Sequence, residues 1–469
     1  MRQKEWLLCG LKAGAHNDQR RGVMSNFSKS LLSKDVIALA CGAMIGWSWV
    51  LLTGEWILRA GIAGAALAFI AGSFVVMLIG LTYAELASMM PKVGGEHQYT
   101  LRALGYTPSF LASWAVVTAY VTVCVFEAAA LPTALEYLFP QLRTGLMWTV
   151  GDEGVYFGFV WIGCLASVIM TWINLRGIAF AAFIQGLITL GFVSVGLCFL
   201  VGAPWSVAFD TTTSTPMEWA GMLSVLVMVP ALLVGFDVIP QSAEEINLPA
   251  RRIGLLLVVS VALAGLWYVA ITVAVGVSLP ETQLESSRMA TADAMASVWG
   301  APIWGQIMLI AGVLGILSSW NAFIIGGSRV IYALAESGMI PKVFASMHPR
   351  HQTPHVAILS IGVLCFFAPL FGREILVWLV NAGSFAIVIA YLFVVVSFIA
   401  LRVKAPEQSR PFRVPFGIPL GIVTLVLTLG LLTLYLPGSP AALLWPEEWV
   451  MVLFSIIVGA VLYRGQSSK

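Results

Sequence analysis

The stretch at residues 41–49 reads Cys-Gly-Ala-Met-Ile-Gly-Trp-Ser-Trp and lies in the middle of the apolar segment Val36–Leu58. Its two glycines weaken a helix and leave the backbone accessible. A second apolar segment, Trp219–Ala243, contains Gly-Phe-Asp-Val-Ile-Pro-Gln at residues 235–241. Pro240 lacks an N–H donor, and its ring clashes with the carbonyl group four residues earlier in a helix. The sequence therefore predicts two apolar helices that each unwind near the middle.

The composition indicates that these helices lie in a membrane. The chain has 469 residues, of which 59% are hydrophobic and 10% are charged, and its mean hydropathy is +0.92. Soluble proteins carry about 25% charged residues, so this chain has too few charges to cover the surface of a soluble domain. Its apolar residues also come in long blocks. The composition excludes soluble, disordered, fibrous and disulfide-scaffold classes, and it predicts an all-α polytopic membrane protein in contact with the lipid bilayer.

Charge and cysteine usage exclude several kinds of site. The net charge of +2 is dispersed along the chain, so the sequence indicates no nucleic-acid partner. The six cysteines contain no Cys-x-x-Cys pair, and neither a metal centre nor a disulfide framework is expected. The sequence has no HExxH, GxSxG or Walker motif, so we expect no cofactor and no enzymatic activity.

Twelve segments are apolar enough to be membrane spans. They are Val36–Leu58, Gly61–Met89, Pro108–Leu135, Val155–Leu175, Phe180–Val201, Trp219–Ala243, Ile253–Leu279, Pro302–Ala335, Pro354–Phe371, Ile375–Leu401, Phe416–Leu436 and Trp449–Tyr463. With this count, only Arg59, Arg143, Arg288 and Arg373 among the 25 Lys and Arg residues fall on the outer side. Because cytoplasmic segments carry the excess of basic residues, both termini are expected to be cytoplasmic, with the protein in the plasma membrane or a bacterial inner membrane.

Spans one and six, the two predicted to unwind, open two groups of five spans. Interrupted helices at corresponding positions of two halves are typical of transporters, because unwound backbone persists in a bilayer only where it lines a cavity or contacts a ligand. The pair Gly42 and Gly46 alone could serve close helix packing, but Pro240 and Asp237 in the matching span favour transport. We expect a cytoplasmic tail at 1–33, five-helix repeats at 34–203 and 219–402, and two additional helices at 415–464.

An ordered set of motifs resembles the amino acid–polyamine–organocation (APC) superfamily of secondary transporters. The set comprises Gly42-Ala-Met-Ile-Gly46, Tyr83-Ala-Glu-Leu-Ala87, Met90-Pro-Lys-Val-Gly-Gly-Glu96, Gly235-Phe-Asp237, Ala243-Glu-Glu245 with Pro249, and Ser328-Arg-Val-Ile-Tyr-Ala333 with Gly338 and Pro341-Lys342. It runs from span one to just past span eight, and the twelve-span count extends the match over nearly the whole chain. The resemblance implies a five-plus-five inverted repeat with alternating access to a midplane site for amino acids or amines.

The resemblance also implies a substrate site at the two breaks. The α-carboxylate would meet span one at Met44, Ile45, Gly46, Trp47 and Ser48. The α-amino group would meet carbonyls at Ala43, Phe236 and Val238 or their neighbours, among them Ile239. Asp237 could hold a cationic substrate group or take part in proton coupling, or it could accept hydrogen bonds from the freed amides of its own helix. Trp47 and Trp49 could wall a cation, shrink the pocket, or face lipid.

Other charged residues within spans need a partner or a role, because burying a charge in a bilayer is unfavourable. Glu127 in span three could face the substrate cavity or a gate, or it could be a protonated, hydrogen-bonded side chain near the outer leaflet. Glu85, Glu244, Glu245 and Arg329 are interpreted as a cytoplasmic salt-bridge network that stabilises one access state, with plain interfacial pairing as the alternative.

The coupling ion stays open between H⁺ and Na⁺. In sodium-coupled relatives of the fold, backbone carbonyls and paired hydroxyls bind the ion between spans one and eight, which would be Ser318, Ser319 and Asn321 here. Serine in a membrane helix also often bonds its own helix. Some proton-coupled relatives place a lysine on span five, and residues 180–193 contain none. The expected activity is ion-coupled transport of an amino acid or amine; the alternatives are an exchanger, or a non-transporting receptor or subunit.

Overall fold

The computed structural model describes residues 27–150, 153–205, 217–439 and 442–465. Residues 1–26 of the predicted cytoplasmic tail at 1–33 therefore lie outside the described residues. The α-helices are α1 (Ser33–Met44), α2 (Ser48–Leu51), α3 (Thr53–Met89), α4 (Glu96–Leu104), α5 (Tyr106–Glu136), α6 (Phe157–Leu175), α7 (Ile178–Gly202), α8 (Trp219–Leu232), α9 (Val238–Gln241), α10 (Ala250–Ser278), α11 (Glu281–Ser286), α12 (Ala290–Trp299), α13 (Pro302–Glu336), α14 (His355–Phe367), α15 (Gly372–Lys404), α16 (Ile418–Thr433) and α17 (Glu447–Leu462). Short 3₁₀ helices lie at Pro140–Leu142, Ala203–Trp205, Ala243–Glu245, Lys342–Ala345 and Ala368–Phe371.

Most of these helices contain a long apolar stretch. Within the described ranges, seven are long and apolar enough to cross a membrane, and three shorter helices are also apolar. The seven lie at Thr53–Met89, Tyr106–Glu136, Phe157–Leu175, Ile178–Trp205, Ala250–Ser278, Pro302–Glu336 and Leu376–Lys404, and the three at Trp219–Leu232, His355–Phe371 and Ile418–Thr433. The predicted class is confirmed: the chain is an all-α, multi-pass membrane protein.

The first interruption lies where the glycine-rich stretch predicts it. Helix α1 ends at Met44, and Ile45 leaves the helical region with φ −97° and ψ 68°. Helix resumes at Ser48 and continues, after Leu52, into α3. Inside α3, Gly61 has φ 68° and ψ 166°, a conformation that glycine adopts without the steric cost of a Cβ. The first predicted span therefore comprises α1, α2 and the start of α3, and the second begins after Gly61.

The second interruption lies between α8 and α9. Helix α8 ends at Leu232, Gly235 has φ 131°, and helix resumes at Val238. Pro240 is in the first turn of α9, where the missing N–H has no intrahelical partner in any case. Proline thus fits the start of the new helix, and Gly235 supplies the unusual backbone conformation before it.

Helix α13 is the centre of the bundle. In its most apolar stretch 78% of the residues are buried, against 33% in α6 and in α7. It packs against α1, α5 and α7, while α10 packs against α3, and α15 against α5. The helix that carries Ser318, Ser319 and Asn321 is therefore surrounded by protein rather than lipid.

Several connecting elements were not foreseen from the sequence. An antiparallel hairpin of β1 (Leu146–Val150) and β2 (Glu153–Tyr156) precedes α6. Helices α11 and α12 fill the connection before α13, and α4 lies between α3 and α5. The short helix α4 is half polar, so it carries no hydropathy signal of a span, yet its residues Glu96 and His97 are fully buried.

Candidate functional site

The first break packs against glycines of α13. A Cβ on Gly315 would lie 2.3 Å from the carbonyl oxygen of Gly46, and one on Gly312 would lie 2.2 Å from the Trp47 ring. A Cβ on Gly46 would lie 3.4 Å from the Ser319 hydroxyl. Only glycine permits this approach of two backbones. Helix α13 therefore holds the unwound segment of the first break.

Tyr268 of α10 bridges the first break. Its hydroxyl donates to the Met44 carbonyl over 2.9 Å and lies 2.8 Å from the Ser48 hydroxyl, which donates to it in turn. Its ring stacks on Phe69 with 5.1 Å between centroids. Tyr268 thus joins the end of α1 to the start of α2. Tyr268 was not predicted from the sequence, because a lone tyrosine in an apolar span follows no motif.

The second break is held by its own aspartate. Asp237 Oδ1 accepts from the Gly235 N–H over 2.9 Å, while Oδ2 has no hydrogen bond within the described ranges. The Phe236 ring stacks on Tyr391 at 5.4 Å and meets Tyr83 edge-on at 5.3 Å. One carboxylate oxygen of Asp237 therefore has the structural role considered from the sequence, and the other is left for a further partner.

The two breaks touch each other. A Cβ on Gly235 would lie 2.5 Å from the Ala43 Cβ and 3.1 Å from the Met44 nitrogen. Asp237 is fully buried, as are its neighbours Phe236, Val238 and Ile239. Residues predicted from spans one and six are thus brought together, and this arrangement is closed to solvent.

The tryptophans of the first break face protein. Trp49 is fully buried, and its ring meets Trp267 edge-on at 5.3 Å and Phe192 at 6.5 Å. Trp47 lies over Gly312 of α13. Neither ring faces lipid.

Glu127 of α5 lies beside the first break. Its Oε1 accepts from the Ser319 hydroxyl, and this oxygen would be 3.9 Å from a Cβ on Gly46. Its Oε2 has no hydrogen bond within the described ranges, and the side chain is buried. Glu127 is thus hydrogen-bonded and lies next to the unwound segment, while its role at the substrate cavity or a gate stays a prediction.

The three residues considered for an ion do not face one point. Ser319 binds Glu127, whereas Ser318 accepts from the Gln185 side-chain amide over 2.7 Å. Asn321 donates to the Gln185 side-chain oxygen over 2.9 Å and accepts from Asn174 over 2.9 Å. The predicted set therefore divides between the first break and a separate polar cluster.

Gln185 of α7 is the centre of that cluster and was missed from the sequence. Besides Ser318, its amide donates to the Ala38 carbonyl of α1 over 3.3 Å. A Cβ on Gly42 would lie 2.2 Å from both the Gln185 Nε2 and the Ser318 Oγ atoms. Gly42 thus permits close packing, while a neutral amide joins α1, α7 and α13. A glutamine at this position carries no charge and gave no signal in the sequence.

The single cytoplasmic network interpreted from the sequence is corrected to two clusters. Glu245 and Arg329 form a buried bidentate pair at 3.0 and 2.9 Å. Glu85 is not in that pair; it binds Arg402 and Arg410 from the end of α15 and the loop after it. Glu244 accepts from the Val93 N–H over 3.3 Å. Because α3 and α15 are far apart in the chain, their pairing was not visible in the sequence.

Comparison with known proteins identifies the family of this chain. The profile of the family described as amino acid permease matches residues 33–462. The chain belongs to the amino acid permease family. It is 25% identical to the branched-chain amino acid permease BcaP of Bacillus subtilis over 461 residues, which is 95% of this chain and 94% of that protein. It is 27% identical to human cationic amino acid transporter 4 over 489 residues (95% and 74%), and 25% identical to the aspartate-proton symporter of B. subtilis over 402 residues (82% and 75%). Family and relatives are transporters, not enzymes.

We predict that Gly235→Ala separates the two breaks. Alanine at φ 131° is strained, and its Cβ meets Ala43, so we expect a loss of about 1–3 kcal/mol in the free energy of unfolding. Thermal unfolding of the purified protein measures this. Gly430→Ala in α16 is the control, because a Cβ there meets nothing within 4 Å. Equal stability of the two variants would contradict the contact.

Proposed function

We propose that this membrane protein is a secondary active transporter that moves amino acids or related amines by alternating access and is driven by protons. The observation that carries the proposal is the contact of two interrupted helices at Gly235 and Ala43. Unwound backbone persists inside a bilayer only where it is buried in protein or lines a cavity, and two breaks at one place would provide a single site. An amino acid exchanger is the alternative within the same geometry.

The proposed architecture has twelve spans. The repeats are 34–203 and 219–402, inverted relative to each other, and two further helices follow at 415–464. The breaks between α1 and α2 and between α8 and α9 lie in the first helix of each proposed repeat, which supports this arrangement. The distribution of Lys and Arg supports cytoplasmic termini.

The proposed binding mode follows from the polarity of the helix ends. The first amides of a helix have no intrahelical acceptor and carry a partial positive charge. The amides from Gly46 to Ser48 would bind the α-carboxylate at the start of α2. Carbonyls at Ala43, Phe236 and Val238 would accept from the α-amino group.

Asp237 favours a substrate with a cationic group. Its Oδ2 has no hydrogen bond in the described part of the chain and lies in a fully buried position. An ammonium group could bind this oxygen, with the rings of Phe236 and Tyr391 beside it. The names of the relatives give different substrates. The proposal of a cationic substrate therefore rests on Asp237 of this chain and not on the relatives.

Protons rather than sodium are proposed as the coupling ion. The Ser318 and Ser319 hydroxyls bind different partners, and the Gln185 N–H group, a donor that repels cations, faces Ser318. One relative is a proton symporter by its name. Sodium coupling through Ser318, Ser319 and Asn321 would require these bonds to be exchanged for the ion.

We predict that an inward proton gradient drives uptake into liposomes containing the purified protein. Radiolabelled lysine, leucine, aspartate and putrescine are offered in turn, under a pH gradient or a sodium gradient, with protein-free liposomes as the control. Accumulation under the pH gradient, abolished by a protonophore, supports the proposal. Accumulation under the sodium gradient alone contradicts proton coupling, and one-for-one exchange without accumulation identifies an exchanger.

A second prediction concerns Asp237→Asn and the selectivity for cations. Loss of a hydrogen bond to a charged group costs about 1.5–3 kcal/mol, so affinity for cationic substrates should fall roughly ten- to a hundred-fold. Thermal stabilisation by a panel of amino acids and amines measures this, because ligands stabilise the state they bind. Asp293→Asn, in the exposed part of α12, is the control. If Asp237→Asn keeps the wild-type affinity and selectivity, the cationic site is ruled out.

A further inference from the structure

A second buried carboxyl lies next to Asp237. Glu96 begins α4, in the connection between α3 and α5, and its side chain is fully buried. It is close enough to Asp237 for the two negative charges to repel each other. In the described residues, neither carboxyl forms an ion pair with a lysine, arginine or histidine. Two uncompensated charges at one buried place are strongly unfavourable.

The groups that face this pair are neutral hydroxyls. They come from α3, α4, α5 and α15, and are Tyr83, Tyr99, Tyr120 and Tyr391. The Tyr83 hydroxyl approaches Glu96, and that of Tyr120 approaches Asp237, both short of full hydrogen-bond geometry. The hydroxyls of Tyr99 and Tyr391 have no partner within the described ranges.

The neighbouring histidine does not neutralise the pair. His97 binds the Ser113 hydroxyl at 3.3 Å and the Ser337 hydroxyl at 2.6 Å. Burial lowers the pKa of His97 to about 4, so its ring is neutral above that pH. It ties α4 to α5 and to the end of α13 without adding a positive charge.

The amide of Gln241 completes the local geometry. Its Nε2 donates to Glu96 Oε2. The other oxygen of each group, Glu96 Oε1 and Gln241 Oε1, has no partner within the described ranges, and both side chains are fully buried. An ionised carboxylate would leave two acceptor oxygens side by side. A proton on Glu96 Oε1 turns the same two groups into an acid–amide pair with two hydrogen bonds.

The electrostatics agree with this geometry. Burial raises the pKa of the Glu96 carboxyl well above its usual range, and the charge of Asp237 raises it further. The closed arrangement therefore favours the protonated acid. Because the pKa of Glu96 is raised in the closed arrangement, protonation of Glu96 stabilises that arrangement at low pH. This stabilisation is lost as the pH rises through the pKa of Glu96 in the closed state.

We propose that Glu96 carries the coupling proton, and that its acid–amide pair with Gln241 closes the cytoplasmic side of the site. The proposal rests on proton-driven transport as argued above. Proton uptake transfers H⁺ from water to Glu96 Oε1, which turns the carboxylate into the neutral acid and breaks no other covalent bond. Release returns the proton to cytoplasmic water.

The pair links two elements that must part for the site to open inward. Gly94 donates to the Gln241 carbonyl over 3.4 Å, and a Cβ on Gly95 would lie 3.1 Å from Pro240. The connection before α4 thus covers α9, the inner half of the second broken helix. Ionisation of Glu96 would remove the hydrogen bond from Glu96 to the Gln241 side-chain oxygen and add repulsion from Asp237. Both changes would weaken the packing of this connection against α9.

Infrared spectroscopy of the protein in lipid nanodiscs tests where the proton is. We expect a carbonyl band of a protonated carboxylic acid that shifts in D₂O and disappears as the pH rises. Glu96→Gln should remove the band, and Glu407→Gln, in an exposed loop, should retain it. Asp237→Asn should move the midpoint of the loss to lower pH, because the repelling charge is gone. An unchanged band in Glu96→Gln overturns the proposal.

Hydrogen exchange tests the closing of the inner side. Glutamine at position 96 can form the same two bonds with Gln241 at every pH, so it mimics the protonated acid. After correction for intrinsic rates, exchange in residues 93–104 should rise about tenfold with pH in the wild type and stay level in Glu96→Gln. The same rise in both proteins overturns the proposal.

Uptake measurements distinguish a failure of this proposal from a failure of the proposed function. If a proton gradient drives the wild type, Glu96→Gln should exchange substrate but lose accumulation against a gradient. Proton-driven accumulation by Glu96→Gln overturns the role of Glu96 and leaves the proposed function intact. Failure of the wild type to respond to protons overturns the proposed coupling, and the role of Glu96 in it, whatever the variant does.

Discussion

The contact between Gly235 and Ala43 is the constraint on which the rest of the site depends. A Cβ on Gly235 would lie 2.5 Å from Ala43, so nothing larger than hydrogen fits between the two breaks. Each break leaves backbone groups without helical partners, and a bilayer offers no water to satisfy them. Placing the breaks together confines these groups to one place. The closed arrangement follows from this contact and from the fully buried residues around it.

The surroundings supply two different kinds of support. Glycines of α13 allow the first break to lie against a continuous helix, and Tyr268 bonds both sides of that break. The second break depends on its own residue Asp237, which accepts from Gly235. The first break is thus held by packing and by Tyr268, and the second by a hydrogen bond within its own segment and by the aromatic contacts of Phe236.

The sequence was sufficient for the class of protein and for the place of both interruptions. Hydropathy and length identify apolar helices, and glycine and proline act locally on the backbone, so their effect can be read without a structure. The correspondence of spans one and six and the resemblance to the APC superfamily together predicted that Ala43 and Asp237 belong to one site, which stays a prediction.

Tertiary partners could not be predicted in the same way. Glu85 pairs with Arg402 and Arg410, more than 300 residues away in the chain, and no local pattern indicates that pairing. Gln185 and Tyr268 are uncharged, so they were not singled out in the way that charged residues within a span are. Glu96 follows a pair of glycines in a connecting segment, and only the fold brings it beside Asp237 and Gln241.

A structure of the protein with a bound substrate from the uptake panel tests whether the two breaks form the binding site. We expect density between the two breaks, with the substrate carboxylate at the amides from Gly46 to Ser48 and its α-amino group at the carbonyls of Ala43, Phe236 and Val238. We also expect a wider separation of Gly235 and Ala43 than in the closed arrangement. Substrate bound elsewhere, for example in the cleft of about 510 Å³ lined by Arg143 and Arg288, with the breaks still in contact, would contradict a site between the breaks.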